Sequence, residues 1–226
     1  MGRCIKKKPF FIVFEGIEGS GKSYQSKKLF NNLSNRGFKI VKTREPGGTP
    51  GAERIRKLIL KDYFGKNNKD LFDKYTDTLL YLAARNEHIK KKIEPALKKK
   101  KIVICDRFID STTAYQVSGK VVKPGFIDNI HREILGKNKP NLIFVLKVNI
   151  NKALKRLRKR KIKNRYDKFS KSFYIKAQQS FLKIAKKNKK KYFILDNSID
   201  STDIENDILK IVLKKLNTNA IHQKFR

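Results

Sequence analysis

The chain has 226 residues, 39% of them hydrophobic, enough to bury one core. No apolar run is long enough to span a bilayer, which excludes a helical membrane protein. Lys plus Arg number 56 against 20 Asp plus Glu, a net charge of +36. The lysines are spread over nearly every helical face and no nucleic-acid module accompanies them, so no dedicated nucleic-acid partner is expected beyond a non-specific attraction to polyanions.

In chain order, basic residues first precede the apolar run FFIVF (10–14). This opening resembles a secretory leader, yet the apolar segment is too short and runs into glycines rather than a cleavage site. It reads as a first strand, 10–15. Cys4 and Cys105 lie far apart and offer no disulfide or metal spacing, which fits a reduced, cytoplasmic setting. The strand leads into Gly16, Ile17, Glu18, Gly19, Ser20, Gly21, Lys22 and Ser23, a G-x-x-x-x-G-K-S loop before helical spacing over about 22–36. Glycines there let backbone N–H groups converge on an anion, and the following helix adds its positive end. Lys22 is placed to reach the β- and γ-phosphates of a nucleoside triphosphate, and the Ser23 hydroxyl to ligate Mg²⁺. The loop points to a phosphoryl donor and leaves the acceptor open.

A second strand is expected over 38–43, followed by TREPGGT (43–49) and a helical stretch over 51–61 that carries Arg56. Helical spacing over 71–98 sets Tyr81 and Arg85 four apart, on one face. The third strand, 101–106, leads into CDRFIDSTTAYQ (105–116), which lies at the carboxyl edge of the sheet, where ligands of open α/β sheets collect, and is given no helical spacing. Further helices are expected at 124–135, 151–160, 168–189 and 201–216, and strands at 141–148 and 192–196. Near-continuous apolar strands alternating with helices imply a parallel sheet covered on both faces. With no internal repeat and no Pro/Gly/Ser linker, one α/β domain over 1–226 suffices. The basic run 155–171 is either a solvated helix end or a lid. The three histidines have no partner spacing, and no Ser/His/Asp or Cys/His arrangement is evident.

EGIEGSGKS, TREPGGT, LAAR and DRF-x-x-ST-x-AYQ, in this order and spacing, resemble the bacterial thymidylate kinases, at least from Phe10 to Phe173. The resemblance implies a P-loop fold of the nucleoside-monophosphate kinase type, with a five-stranded parallel sheet and a short lid at about 155–168. It implies phosphorylation of dTMP to dTDP by ATP with Mg²⁺, in dTTP synthesis, by a homodimer. Carried over residue by residue, Glu18 would accept from the sugar 3′-hydroxyl and Tyr81, where the family usually has Phe, would stack on thymine. Arg85 would hydrogen-bond the base, and Arg56 and Arg107 would hold the monophosphate, braced by Arg44. Thr112 and Gln116 would line the base and sugar pocket, and Tyr115 would crowd a ribose 2′-hydroxyl. Asp106 would help Ser23 organise Mg²⁺.

Glu18-Gly19 leaves no arginine in the loop, and such family members supply the catalytic arginine from the lid. Arg160 best matches that position, with Arg156, Arg158 and Arg165 as rivals. The lid departs from the family pattern at Lys161, Asn164 and Asp167, and the fourth strand at Lys147. The alternatives are a kinase of another monophosphate, such as UMP or CMP, or a nucleic-acid-binding P-loop ATPase favoured only by charge.

Overall fold

The computed structural model describes residues 8–60, 72–160, 165–199 and 202–221. Its centre is β1 (Phe10–Glu15), buried along its whole length. Successive side chains of a strand point to opposite faces, so a strand with no polar alternation must be covered twice. Phe11 and Val13 pack on one side with Ile89, Ile93, Tyr115 and Phe181. Phe10, Ile12 and Phe14 pack on the other with Leu29, Leu33, Ile208 and Val212. Each such fully buried side chain contributes about 1.5–3 kcal/mol relative to exposure.

The other strands are β2 (Ile40–Arg44), β3 (Ile102–Asp106), β4 (Leu142–Lys147) and β5 (Tyr192–Asp196). They form one parallel sheet in the order β2-β3-β1-β4-β5. The register sets Phe14 and Arg44 on either side of Asp106, so these strands finish at one edge. Since β3 and β4 flank β1, connections leave the centre in opposite directions, and a crevice opens where they part.

The helices are α1 (Lys22–Ser34), α2 (Pro50–Leu60), α3 (Lys74–His88), α4 (Glu94–Lys98), α5 (Ile109–Thr112), α6 (Pro124–Leu135), α7 (Ile150–Arg158), α8 (Lys171–Lys187) and α9 (Asp203–Ile221). None of the described helices is long and apolar enough to cross a membrane. Side-chain caps fix several starts: Asp73 accepts from Tyr75 N at 2.7 Å and Ser170 from Phe173 N at 3.2 Å.

Two stretches differ from the sequence reading. The expected single helix over 71–98 is interrupted by a π-helical turn, Ile89–Ile93, which lets both Ile89 and Ile93 reach the core. The stretch after the third strand, where no helix was expected, winds into α5 and a second π-helical turn, Thr113–Val117. Of the stretch expected to form a lid, Lys161 and Asn164 lie outside the described residues, and Arg165–Lys168 form a short 3-10 turn. Lys147 pairs with Asp196 at 2.9 Å across the ends of β4 and β5. Cys105 is a buried free thiol; Cys4 lies outside the described residues.

Candidate active site

The phosphate loop sits between β1 and α1, in the conformation its glycines permit. Gly19 has φ +72°, and a Cβ there would meet the Ala153 carbonyl oxygen at 2.6 Å. Gly21 opens α1 at φ +91°, where a Cβ would strike Asn197 Nδ2. No L side chain fits either position without moving backbone or the Asn197 amide. The loop is braced from behind. Arg156 donates from Nη1 to Gly19 O at 2.9 Å and from Nη2 to Asn197 O at 3.2 Å, while Asn197 Nδ2 donates to Ser20 O at 2.7 Å.

Lys22 is only 5% exposed and folds back on its own loop, donating from Nζ to Ile17 O at 2.7 Å and Ser20 Oγ at 3.4 Å. Burial, and then the charge of Arg107, pull its pKa down to about 7 against the opposing pull of Asp106, Glu18 and Glu15. Ser23 Oγ donates to Asp106 Oδ2, joining the first turn of α1 to the end of β3.

Arg107, next after Asp106, adopts a left-handed backbone, φ +73°. Its Nη2 donates to Glu18 Oε1 at 2.7 Å and its Nη1 to Gly16 O at 2.9 Å and Ser111 Oγ at 3.0 Å. Tyr115 donates its hydroxyl to the other Glu18 oxygen, and its ring lies 5.2 Å from the guanidinium carbon. Burial lifts the Glu18 carboxyl, but Arg107, Lys22 and Tyr115 outweigh it and hold it below the ordinary carboxylate range.

Arg85, on α3, is 2% exposed and heavily committed. It donates from Nε to Glu45 at 2.7 Å, from Nη1 to Thr112 Oγ1 and His131 Nε2, each at 2.7 Å, and from Nη2 to Phe108 O at 2.8 Å. Four of its N–H groups are thus engaged, and a guanidinium has five. A guanidinium only donates, so His131 Nε2 is the acceptor and the ring is neutral. Burial, reinforced by Arg85, pushes the His131 pKa down to about 3. Glu45 also meets His88 Nδ1 at 3.1 Å, whose Nε2 lies 2.7 Å from Thr43 Oγ1. Gln116 is buried, with no hydrogen-bond partner for Nε2.

These groups face one cleft, about 200 Å³ in volume. It is lined by Glu18, Lys22, Ser23, Arg44, Arg56, Tyr81, Arg85, Asp106, Arg107, Thr112, Tyr115, Gln116 and Arg160, together with Glu45, Pro46, Leu60, Ser111 and Tyr166. The first thirteen were all singled out from the sequence, Glu18, Lys22 and Ser23 within the loop and the other ten beyond it. Arg56 donates to Pro46 O at 2.7 Å, and Arg44 pairs with Glu53 at 3.2 Å at the rim. The Tyr81 hydroxyl bonds that of Tyr166. The lid arginines separate: Arg156 braces the loop and Arg165 is bound to the buried Asp77, which Lys120 also pairs at 2.8 Å. Arg158 is exposed at the end of α7. Of the four, only Arg160 lines the cleft.

Sequence reasoning did not single out Glu15, Ser111, Asn197 or Tyr166. Glu45 lay inside the quoted TREPGGT segment without a role. Nothing in the local sequence marks Asn197, whose function depends on contacts 177 positions away.

The thymidylate kinase family profile matches residues 14–208. The thymidylate kinase of Mycoplasma capricolum subsp. capricolum is 40% identical over 211 residues, covering 92% of this chain and 97% of that protein. That of Afipia carboxidovorans is 39% identical over 209 residues, covering 91% and 90%. Among solved structures, the crystal structure of thymidylate kinase from Ehrlichia chaffeensis superposes with a TM-score of 0.71 at 33% identity, covering 91% of this chain and 99% of that one. A phosphate loop sharing one cleft with fixed arginines is common to many kinases, but likeness of this extent in both sequence and fold is not: the chain belongs to the thymidylate kinase family.

Proposed function

We propose that the chain transfers the γ-phosphoryl group of ATP to dTMP, giving ADP and dTDP for dTTP synthesis, as a single catalytic domain. The observation that carries this reading is that the phosphate loop and the acceptor arginines open onto the same cleft. On the donor side, the triphosphate would draw Lys22 Nζ from Ile17 O and restore the charge that burial now weakens. Ser23 Oγ and the Asp106 carboxylate are the hard oxygen donors that Mg²⁺ takes together with waters and phosphates, so the residues present fit that ion. Bound there, Mg²⁺ supplies neutralisation of the phosphate charge.

On the acceptor side, Arg107 and Arg56 hold the monophosphate, with Arg44 bracing the rim, and Glu18 accepts from the 3′-hydroxyl. Tyr81 offers the base a stacking surface, Thr112 and Gln116 line the base and sugar pocket, and Gln116 Nε2 is a buried donor still in need of an acceptor. Arg85 contributes its one remaining N–H to the base. Tyr115 excludes a 2′-hydroxyl, and Arg160 delivers charge to the group in transfer from the lid at about 155–168. No general base is required, because a phosphate monoester is already an anion at neutral pH. Catalysis is alignment and charge neutralisation. The reading includes a cytoplasmic homodimer, as the resemblance to the family implies.

The test is ADP release measured with dTMP, dUMP, UMP, CMP and polynucleotide in turn. Turnover that depends on dTMP is the expected result. Preference for UMP or CMP, or ATP hydrolysis stimulated by polynucleotide without a monophosphate, overturns the reading.

A further inference from the structure

Glu15, the last residue of β1, is wholly buried and does not line the cleft. Burying a carboxylate is costly unless each of its lone-pair sites is used. None of these sites is paired with a cation in direct contact among the described residues. Oε1 accepts from Phe108 N at 2.8 Å and Ser111 N at 3.3 Å, and Oε2 accepts from Ser111 Oγ at 2.6 Å. All three donors belong to the turn immediately after Arg107. Ser111 Oγ in turn accepts from Arg107 Nη1 at 3.0 Å. The carboxylate is therefore one hydroxyl away from the guanidinium.

The backbone adds a second reason. Arg107 is held left-handed at φ +73°, a conformation that non-glycine residues rarely adopt. Such a residue persists only where its neighbours fix it. Arg107 N donates to Phe14 O at 2.9 Å and Phe108 N to Glu15 Oε1, so consecutive residues of β1 pin the amides on both sides of the strained residue. We infer that Glu15 is a positioning residue for the acceptor phosphate, aiming Arg107 through the Phe108–Ser111 turn and the Ser111 hydroxyl. This rests on the reading of Arg107 as a phosphate ligand.

The experiment compares Glu15→Gln, Ser111→Ala and Arg107→Lys, with KM for dTMP, KM for ATP, and the inhibition constant of thymidine, which has the base and sugar but no phosphate. Glu15→Gln keeps an acceptor for the two N–H groups and loses the acceptor for Ser111 Oγ. Loss of one hydrogen bond on a charged path is worth about tenfold. Glu15→Gln and Ser111→Ala should each raise KM for dTMP about tenfold. Thymidine inhibition and KM for ATP should stay within about twofold, and the double variant should be little worse than either single one. A merely structural role would lower thermal stability and weaken dTMP and thymidine alike, which overturns the inference. So does an unchanged KM for dTMP in folded Glu15→Gln, or in Ser111→Ala should Glu15→Gln fail to fold. In that case a raised KM in Arg107→Lys leaves the phosphate-ligand reading standing. An unchanged KM in Arg107→Lys overturns both.

Discussion

The lid arginines offer the sharpest test, because the structure gives them different partners. Arg160 follows α7, its amide held to Leu157 O at 3.0 Å, and its side chain lines the cleft. Arg165 is bound to Asp77, a carboxylate with no exposed side-chain surface. A cation delivered to a transferring phosphoryl group is worth on the order of 10³-fold in kcat, or about 4 kcal/mol of barrier. Arg160→Ala should therefore lower kcat about 10³-fold with dTMP affinity nearly unchanged, since the contact belongs to the transition state. Arg165→Ala should act on the fold instead. Breaking a buried ion pair costs about 3–5 kcal/mol, and Lys120 remains on Asp77 at 2.8 Å, so the lower end applies. At about 2–4 °C per kcal/mol for a chain of this size, Tm should fall by roughly 6–12 °C. Steady-state kinetics with saturating ATP and a thermal melt on each variant read both effects. If folded Arg160→Ala keeps kcat within tenfold while Arg158→Ala or Arg165→Ala loses it, the residue is wrong. If no lid substitution lowers kcat, the lid mechanism falls.

Lys22→Ala should abolish phosphoryl transfer in a folded protein, and near-normal turnover would mean that the loop is not the donor site. Wild-type enzyme should strongly prefer dTMP to the 2′-hydroxyl analogue, and Tyr115→Ala should narrow that gap; equal use of both substrates by wild type refutes the role of Tyr115. Because the folded chain holds His131 neutral with its pKa lowered from 6.5 to about 3, the unfolded chain takes up that proton first. Stability should fall as pH drops below about 6.5, by about 1.4 kcal/mol per unit from this group, and a denaturant series should show a shallower slope in His131→Gln.

The strands were legible because a buried parallel sheet needs long apolar runs, and five such runs stand in the sequence within two residues of their observed ends. The donor loop was legible for a related reason: its chemistry is local, and glycine, lysine and serine must occur in a fixed order. The helical turns after Arg107 were not foreseen. Their threonines, serine and β-branched residues carry weak helix propensity, and what winds them is remote, the Glu15 carboxylate gathering the amides of Phe108 and Ser111. Likewise nothing in KKKI announces the π-helical turn at 89–93. The cleft's side chains were legible as a set, but their partners were not. That Arg85 is bracketed by Glu45, Thr112 and His131, or that Arg165 belongs to Asp77, depends on contacts between elements tens of residues apart.

Those partners show how a chain of net charge +36 could keep the anion site proposed here selective. Surface lysines attract any polyanion, and their long, mobile side chains carry no geometric information. The arginines of the site are of another kind. Arg107 is held by Glu18, Arg85 by Glu45 and, at the rim, Arg44 by Glu53. Each carboxylate cancels charge that would otherwise add to the general attraction, so these pairs do not serve raw affinity. Their effect is on entropy and aim: a guanidinium already fixed in its rotamer loses little freedom when a phosphate arrives. The same carboxylates penalise a ligand that brings an anion to the wrong place. In the proposed reading Glu18, held ionised beside Arg107, would accept a hydrogen bond from a sugar hydroxyl and repel a phosphate. A ligand that sets its phosphate on the guanidinium side and its sugar hydroxyl on the carboxylate side satisfies both, and a polynucleotide drawn to the lysines does not.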